Sequence, residues 1–299
     1  MASTCYITDT SNSNLSTSEQ KLLTDLAKTQ KDEMNTKSNQ ASVLDSLNHI
    51  DSHSDSAFIS MILCLIQESS SIAGAITVTA DFMTDIADVV NIVTTSENDL
   101  GLLFEEADGQ SQSSGLTGAE RDQMNDMINS LNFLTTDSFT VTTVDQNGAQ
   151  TKKTYTKGIL EYLGDDSAWS GHSPMGDSTD LVRTSVTDIE NQFKDANGNS
   201  TWGNANAMWK SGNSGILYWA NPIETSVGDG QSIESYSPQY SKMMDDFQQI
   251  NDQTDMQTQT VQYELQQLTT IYQQYQNLTY QMMQSLAKSN MSMVTAQSR

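Results

Sequence analysis

Hydrophobic residues recur at helical spacing through the first third of the chain. Residues 19–50 carry leucines and isoleucine at the ends of a segment free of glycine and proline, which predicts one helix. Residues 56–107 hold the densest apolar run, spaced by three and four past Gly74. A strand over 75–79 is the alternative, because valine and threonine cluster there. Acidic residues at 81, 85 and 88 fall on one side of a helix, which favours a second helix.

The period of the pattern changes near residue 135, where a short third helix is predicted to end. The stretch SFTVTTVDQNGAQTKKTYT at 138–156 alternates apolar and polar residues on both sides of Asn147-Gly148, a dipeptide typical of hairpin turns. From 158 to 230 the chain is rich in Gly, Asn and Ser. This composition favours a compact, loop-rich insertion, in which four tryptophans are interpreted as core rather than as a surface for sugars or peptides. They are Trp169, Trp202, Trp209 and Trp219.

The last 60 residues return to helical spacing. We predict a helix over 239–296, about 87 Å long at 1.5 Å per residue, whose apolar positions step by three and four as in a coiled coil, with a stutter near Val261. The stretch 265–287 has no charged residue and seven glutamines. Exposed coiled coils normally carry Glu and Lys beside the seam, so an uncharged surface indicates burial in a multi-helix assembly. The alternative is that this helix packs only on the chain's own helices.

Composition narrows the possible functions. Hydrophobic residues make up 36% of the 299 residues, a share that favours extended helices with narrow apolar seams plus one small globule. The formal net charge is −24 and no basic cluster is present, which excludes binding to nucleic acid. Cys5 and Cys64 form neither a disulfide framework nor a metal-binding spacing.

The first 18 residues are rich in Ser, Thr and Asn and have no basic side chain. They lack the basic and apolar regions of a Sec signal peptide, so we predict a disordered polar leader. No transmembrane helix is predicted, because the apolar run AFISMILCLI at 57–66 is too short to cross a bilayer and acidic residues follow at 81. We expect this run to be buried against other helices.

Motifs for catalysis or metal binding are weak. The stretch DANGNSTWGNAN begins like a calcium loop at Asp195, but it has Ser200 and Asn206 where that loop needs Gly and Glu. Ser170 and His172 lie close in sequence, without the nucleophile elbow of a hydrolase. We predict no catalytic residue, no cofactor and no bound metal.

The layout of the chain resembles a known family. A polar leader, an N-terminal helical region with an apolar patch, a central insertion and a long C-terminal coiled-coil helix are similar to the extracellular filament and needle-tip proteins of type III secretion systems. The resemblance covers residues 1–100 and 237–299, and the tail LAKSNMSMVTAQSR has the Ser/Met/Ala character of such proteins. The insertion makes this chain longer, and Tyr, Met and Gln occupy seam positions where Leu would be stronger.

The resemblance implies a secreted, self-assembling virulence protein. Its partners would be further copies of the chain, a secretion chaperone and translocon or needle proteins, without stable membrane insertion. It would reside in the cytoplasm before export and at the bacterial cell surface afterwards. Carried over by position, the C-terminal assembly set is Val261, Leu265, Leu268, Tyr272, Tyr275, Met282 and Leu286. The N-terminal partner set is Phe58, Met61, Ile62, Leu65 and Ile66.

Together these observations predict a mainly α fold, with long antiparallel terminal helices forming a coiled-coil stalk and a small α/β insertion that contains the hairpin. The predicted parts are a leader at 1–18, an N-terminal helical region at 19–135, an inserted domain at 136–236 and a C-terminal helix at 237–299. The expected function is that of a non-enzymatic filament or needle-tip subunit. The alternative is a type III effector or translocator whose central domain binds a host target.

Overall fold

The computed structural model is mainly helical and contains a small antiparallel sheet, as predicted. It describes residues 4–9, 15–48, 54–107, 118–144, 148–194, 199–211, 217–219 and 238–297. In chain order the elements are β1 (Thr4–Asp9), α1 (Thr17–Asn48), α2 (Ser54–Ala107), α3 (Gly118–Thr135), β2 (Phe139–Val144), β3 (Gln150–Tyr155), α4 (Gly158–Leu163), α5 (Ser178–Gln192), α6 (Ala205–Met208), β4 (Trp209–Ser211), β5 (Leu217–Trp219) and α7 (Pro238–Gln297).

Three long helices, α1, α2 and α7, form the frame of the molecule. Both α1 and α7 run antiparallel to α2. Lys28 of α1 forms an ion pair with Asp81 at 2.7 Å, and a second pair joins Lys21 to Asp88. The acidic side of α2 predicted from the sequence therefore faces the lysines of α1. These lysines are more than half exposed, so the pairs fix register more than they add stability.

Polar side chains show the direction of α7 along α2. Asn251 donates to the carboxylate of Glu97 at 3.1 Å, and Gln276 donates to the hydroxyl of Ser69 at 3.0 Å. As the residue number rises along α7, the number of its partner on α2 falls, so the two helices are antiparallel. The predicted long C-terminal helix is confirmed, and it begins at Pro238, a residue suited to a first helical turn because it has no N–H to leave unpaired.

The sheet has three strands in the order β1-β2-β3. The predicted hairpin is confirmed: β2 pairs with β3 in an antiparallel register with Val144 opposite Gln150. β1 pairs with the other edge of β2, with Cys5 opposite Thr143. The prediction of a disordered leader is therefore wrong for Thr4–Asp9, where the Cys5 side chain is buried in the core. Residues 1–3 and 10–14 of that leader lie outside the described residues.

One hydrophobic cluster joins the sheet and α4 to α6 with parts of the long helices. Trp169 is fully buried, donates its indole N–H to the Tyr162 carbonyl at 2.8 Å and meets the ring of Phe82 edge-on at 5.4 Å. The described part of the predicted insertion at 136–236 thus shares its core with α2. The interpretation of the tryptophans as core is confirmed at Trp169, and the side chains of Trp209 and Trp219 lie outside the described ones.

Helix α2 is more apolar than its 57–66 run indicates. The stretch Ser60–Leu103 contains an 18-residue window with a mean hydropathy of 1.5, of which 22% is buried, long and apolar enough by length and composition to cross a membrane. The prediction of no transmembrane helix treated 57–66 as too short and the stretch after it as interrupted by the acidic residues at 81, 85 and 88. Alanine, isoleucine and valine continue beyond residue 66, and Glu68 is the one charged residue of 56–80.

Gly158 permits a close backbone crossing beneath the hairpin. Its φ is +69°, and a Cβ atom at this position would lie 2.2 Å from the carbonyl group of Leu134. Its N–H donates to the Asp137 carbonyl at 3.0 Å. Arg183 then joins the two sides by donating to the carbonyls of Thr135 and Lys157 at 2.9 and 2.8 Å. The end of α3 and the start of α4 are held together by these contacts.

Gly158→Ala is expected to lower the free energy of unfolding by about 3 kcal/mol or more, because the backbone of Leu134 must move to admit the methyl group. Gly203→Ala is the matched control: φ there is +85° with no atom within 4 Å of the added Cβ, so its loss should be only about 1 kcal/mol. Urea denaturation measures both. Equal losses would contradict the close crossing.

Asp85 is a fully buried carboxylate at the contact between α1 and α2. Neither of its oxygens has a hydrogen-bond partner in the described part of the chain. Thr29 lies beside it, but that hydroxyl donates to the Asp25 carbonyl at 3.0 Å. Burial raises the pKa of Asp85 from 3.8 to about 7, and nearby acidic residues add to the shift. The core therefore favours the protonated form of this side chain.

Asp85→Asn is expected to stabilise the protein at pH 8 by roughly 2–4 kcal/mol and to change little at pH 4. The folded protein keeps the Asp85 proton up to about pH 7, whereas the unfolded chain releases it near its ordinary pKa of 3.8. The free energy of unfolding consequently falls as pH rises between these values. Denaturant titrations at both pH values measure the effect.

Asp88→Asn is the control for this prediction. Asp88 lies three residues further on and forms an ion pair with exposed Lys21, so its loss should cost less than about 1 kcal/mol at both pH values. If Asp88→Asn stabilised the protein at pH 8 as much as Asp85→Asn does, the effect would come from the general reduction in negative charge and not from burial of Asp85.

Candidate assembly surface

The two longest helices extend beyond the core as a helical hairpin. α1 accompanies α2 along part of it, since Thr36 lies against Gly74. We define the distal hairpin as residues 60–80 of α2 with residues 261–288 of α7. Among the described side chains of α7, Val261 is the last buried one, and every side chain from 262 to 288 is half-buried or exposed. The α7 half of the hairpin thus buries little surface, whereas the α2 half has buried side chains such as Ile62 and Leu65.

The predicted C-terminal assembly set lies on the face of α7 nearest to α2. Val261 is buried in the core cluster, and the other six members are half-buried while most of their neighbours are exposed. Leu268 borders the same cleft as Val78 of α2, and Tyr272 borders a groove together with Ala73. The spacing located this face correctly. Its observed packing is on the chain's own helix, which is the alternative that the sequence left open.

The predicted N-terminal set forms one stripe of α2 that is buried at its centre and exposed at its edges. Ile62 and Leu65 are buried, whereas Met61 and Ile66 are 53% and 42% exposed. The side chain of Phe58 lies outside the described ones. At about 100° per residue, Leu65 and Ile62 point between Met61 and Ile66, which flank them. Met61 and Ile66 remain available for contacts outside the chain.

Sequence reasoning missed a second set of apolar side chains on the distal hairpin. They lie off the coiled-coil spacing and are substantially exposed: Leu63, Ile271, Leu278, Tyr280 and Met283. The sequence did contain a signal for this second set, because its members also recur at helical intervals. They were not predicted as a surface because the coiled-coil seam already explained the helical period. The outer surface of the hairpin therefore carries apolar side chains among its exposed glutamines.

Charge is distributed very unevenly between the distal hairpin and the rest of the molecule. The chain has 38 acidic residues, yet 265–287 contains no charged residue and 56–80 contains one. Two copies of this protein repel each other over most of their surface at neutral pH. The distal hairpin is the long surface where that repulsion is weakest.

Glutamine side chains connect the two helices of the hairpin. Gln276 donates to Ser69 across the helix pair at 3.0 Å and to the hydroxyl of Tyr272 at 3.1 Å. These groups border a groove of about 510 Å³, which also exposes Ile66 and Met283. An uncharged amide can both donate and accept, so this seam needs no ionic partner.

Residues singled out for other chemistry do not converge on the distal hairpin. Ser170 and His172 lie at the base of a cleft between α1 and α7. Asp195 and Asn197 of the candidate calcium loop are outside the described residues. Across the described ranges, no group of three or more His, Cys, Asp or Glu side chains is placed to hold a metal ion.

The chain was compared with protein-family models, with curated proteins and with solved structures. None of the three comparisons found a match. A functional assignment therefore rests on the geometry of the described residues.

Proposed function

We propose that this protein is a structural subunit that self-assembles through its distal hairpin. The observation that carries the proposal is the combination of exposed apolar side chains with few charges, namely Glu68, Glu264 and Lys288, on an otherwise strongly acidic molecule. Exposed apolar patches rimmed by polar residues are typical of interaction sites. Here the patch lies on a projecting pair of helices.

The form of assembly depends on which faces are already covered. The coiled-coil spacing of α7 is used on α2 of the same chain, so neighbouring copies would meet through the outer faces of their hairpins. Burying side chains such as Leu278 and Met283 would contribute about 1.5–3 kcal/mol each if fully enclosed. Glutamine, threonine and tyrosine between them can exchange hydrogen bonds with identical neighbours. The result is a multi-helix bundle, with the globular part of each copy at its periphery.

The resemblance in layout supports a role for such an assembly in a type III secretion apparatus, as a filament or needle-tip subunit. In this proposal the protein is held by a secretion chaperone before export and contacts needle or translocon proteins afterwards. Masking by a chaperone is a physical need, because a hairpin with exposed Met61, Ile66 and Met283 would associate in the producing cell. The proposed activity is non-enzymatic.

Sedimentation velocity of the full chain over a concentration series, with negative-stain microscopy, tests the proposal. We expect the unmodified protein to form oligomers or rods at physiological salt. Leu278→Lys/Met283→Lys should weaken association at least tenfold, because each lysine would be enclosed among apolar side chains without a partner.

The matched control is Leu102→Lys/Leu181→Lys. Leu102 and Leu181 are 44% and 45% exposed, close to the 48% and 45% of Leu278 and Met283, but they lie outside the distal hairpin. The control should assemble like the unmodified chain. A monomer at every concentration, or equal losses in both double variants, would overturn the proposal.

A second candidate function is favoured by the hydropathy of α2. Because Ser60–Leu103 includes a window long and apolar enough to cross a membrane, a translocator that inserts this helix into a bilayer is the alternative. Flotation with lipid vesicles distinguishes the translocator from the structural subunit. The vesicles are made of neutral phosphatidylcholine, because an anionic surface would repel a chain of charge −24. Stable co-flotation that survives high salt would favour the translocator. We expect the protein to remain in the dense fraction.

A further inference from the structure

A cleft between α1 and α7 lies where the globular part of the molecule meets the distal hairpin. Its floor is α2, with Val78 and Phe82, and Leu268 and Ile271 of α7 add apolar surface on one side. The loop that carries Ser170 closes one end. The volume is about 400 Å³, within the usual range of roughly 300–1,000 Å³ for small-molecule sites. We refer to it as the interhelical cleft.

One buried acid faces this apolar space from the α1 side. Glu33 is 8% exposed and lines the cleft. Its Oε2 atom has no hydrogen-bond partner among the described residues. Burial raises the pKa of Glu33 from 4.5 to about 7, although contact with Ser170 and the charge of Lys37 oppose the shift. A buried carboxylate oxygen without a donor is costly, and a ligand that donates a hydrogen bond would remove that cost.

The backbone beside Glu33 is held in an unusual conformation. Ser170 has φ = 62°, and no other non-glycine residue in the described ranges has a positive φ. Its carbonyl accepts a hydrogen bond from the ammonium group of Lys37 at 3.5 Å. Left-handed backbone is unfavourable at a residue other than glycine, and such strain tends to occur at binding sites. Two independent features, the unpartnered acid and the strained turn, thus meet at one end of the cleft.

The charges around the cleft favour a cation over an anion. Glu33 and Glu264 lie on opposite walls, and Lys37 is exposed at the rim with its ammonium directed to the Ser170 carbonyl. The remaining surface of the protein is strongly acidic, which raises the local concentration of cations further. The apolar floor requires the rest of the ligand to be hydrocarbon.

We propose that the interhelical cleft binds a small amphipathic primary amine, with its ammonium group on Glu33 and its hydrocarbon part on Val78, Phe82 and Ile271. The ammonium pairs with the Glu33 carboxylate, whose enclosed Oε2 atom lacks a donor among the described residues. This role differs from self-assembly in its ligand, although the cleft shares Leu268 and Ile271 with the distal hairpin. Met61, Ile66 and Met283 lie outside the cleft. A linear alkyl amine is the simplest probe of both halves of the site.

Isothermal titration of the full chain with hexylamine, hexanol and hexanoate at 0.3 M salt tests the inference. We expect hexylamine to bind at least tenfold more tightly than hexanol, and hexanoate to show no binding. Glu33→Gln keeps the shape of the side chain and should abolish the preference for the amine over the alcohol. Asp255→Asn, which removes one exposed acidic charge elsewhere on α7, should preserve that preference.

Ala75→Leu supplies a second variant that leaves the acid in place. Ala75 lines the cleft floor, so the larger side chain should reduce binding of both hexylamine and hexanol at least tenfold. Equal binding of amine and alcohol to the unmodified protein, a preference retained by Glu33→Gln, or no hexylamine binding would each overturn the inference.

The occupant of the cleft could be a free amine or a lysine side chain of a neighbouring copy, because both present an ammonium group. Sedimentation of the protein with saturating hexylamine distinguishes these two occupants. An unchanged oligomer distribution supports a small-molecule ligand. Dissociation of the oligomers by hexylamine would overturn the small-molecule inference and make the cleft part of the assembly surface.

Discussion

The packing of α2 between α1 and α7 is the constraint on which the rest of the structure depends. The acidic side of α2 contacts lysines of α1. A different side of α2 contacts the seam of α7. In the second half of α2 the remaining surface is covered by the globular part, through contacts such as Phe82 with Trp169. In its first half the described cover comes mainly from α1 and α7, with Thr36 of α1 against Gly74. The same helix therefore forms the core at one end and an exposed hairpin at the other.

The distribution of charge matches this division and gives each half a different physical character. Acidic residues cover the globular part and the first half of α7, which keeps copies apart there. The distal hairpin is nearly uncharged and joined by amides and hydroxyls, as in the contact of Gln276 with Ser69. At the boundary, Asp85 and Glu33 are acids enclosed by helices, at a cost in stability. The proposed assembly surface and the amine site both arise from this boundary between charged and uncharged regions.

Local periodicity was enough to predict the elements that depend on neighbours in sequence. The long helices, the short third helix and the β2–β3 hairpin are of this kind, since each is specified by spacing and turn residues within a few positions. β1 was not predicted, although Thr4, Tyr6, Ile7 and Thr8 are residue types favoured in strands. The polar composition around them indicated disorder, and the strand that pairs with them, with Thr143 opposite Cys5, lies far away in sequence. The seam on α7 was located by spacing, but its partner was not, because intramolecular and intermolecular packing require the same pattern. The interhelical cleft is invisible in sequence, since Glu33, Val78, Ser170 and Ile271 are brought together only by the fold.

The antiparallel contact between α2 and α7 also determines the order in which the chain can complete its fold. The bonds from Asn251 to Glu97 and from Gln276 to Ser69 span 154 and 207 residues of sequence. A chain made from its N-terminus must expose the apolar surface of α2 until nearly the whole of α7 has been synthesised. Contacts of such long range form slowly, and uncovered apolar helices aggregate or are captured in the interval. α7 thus acts as a cover for α2 that is synthesised well after it, and the interval before α7 packs is the time when another protein has access to that face of α2.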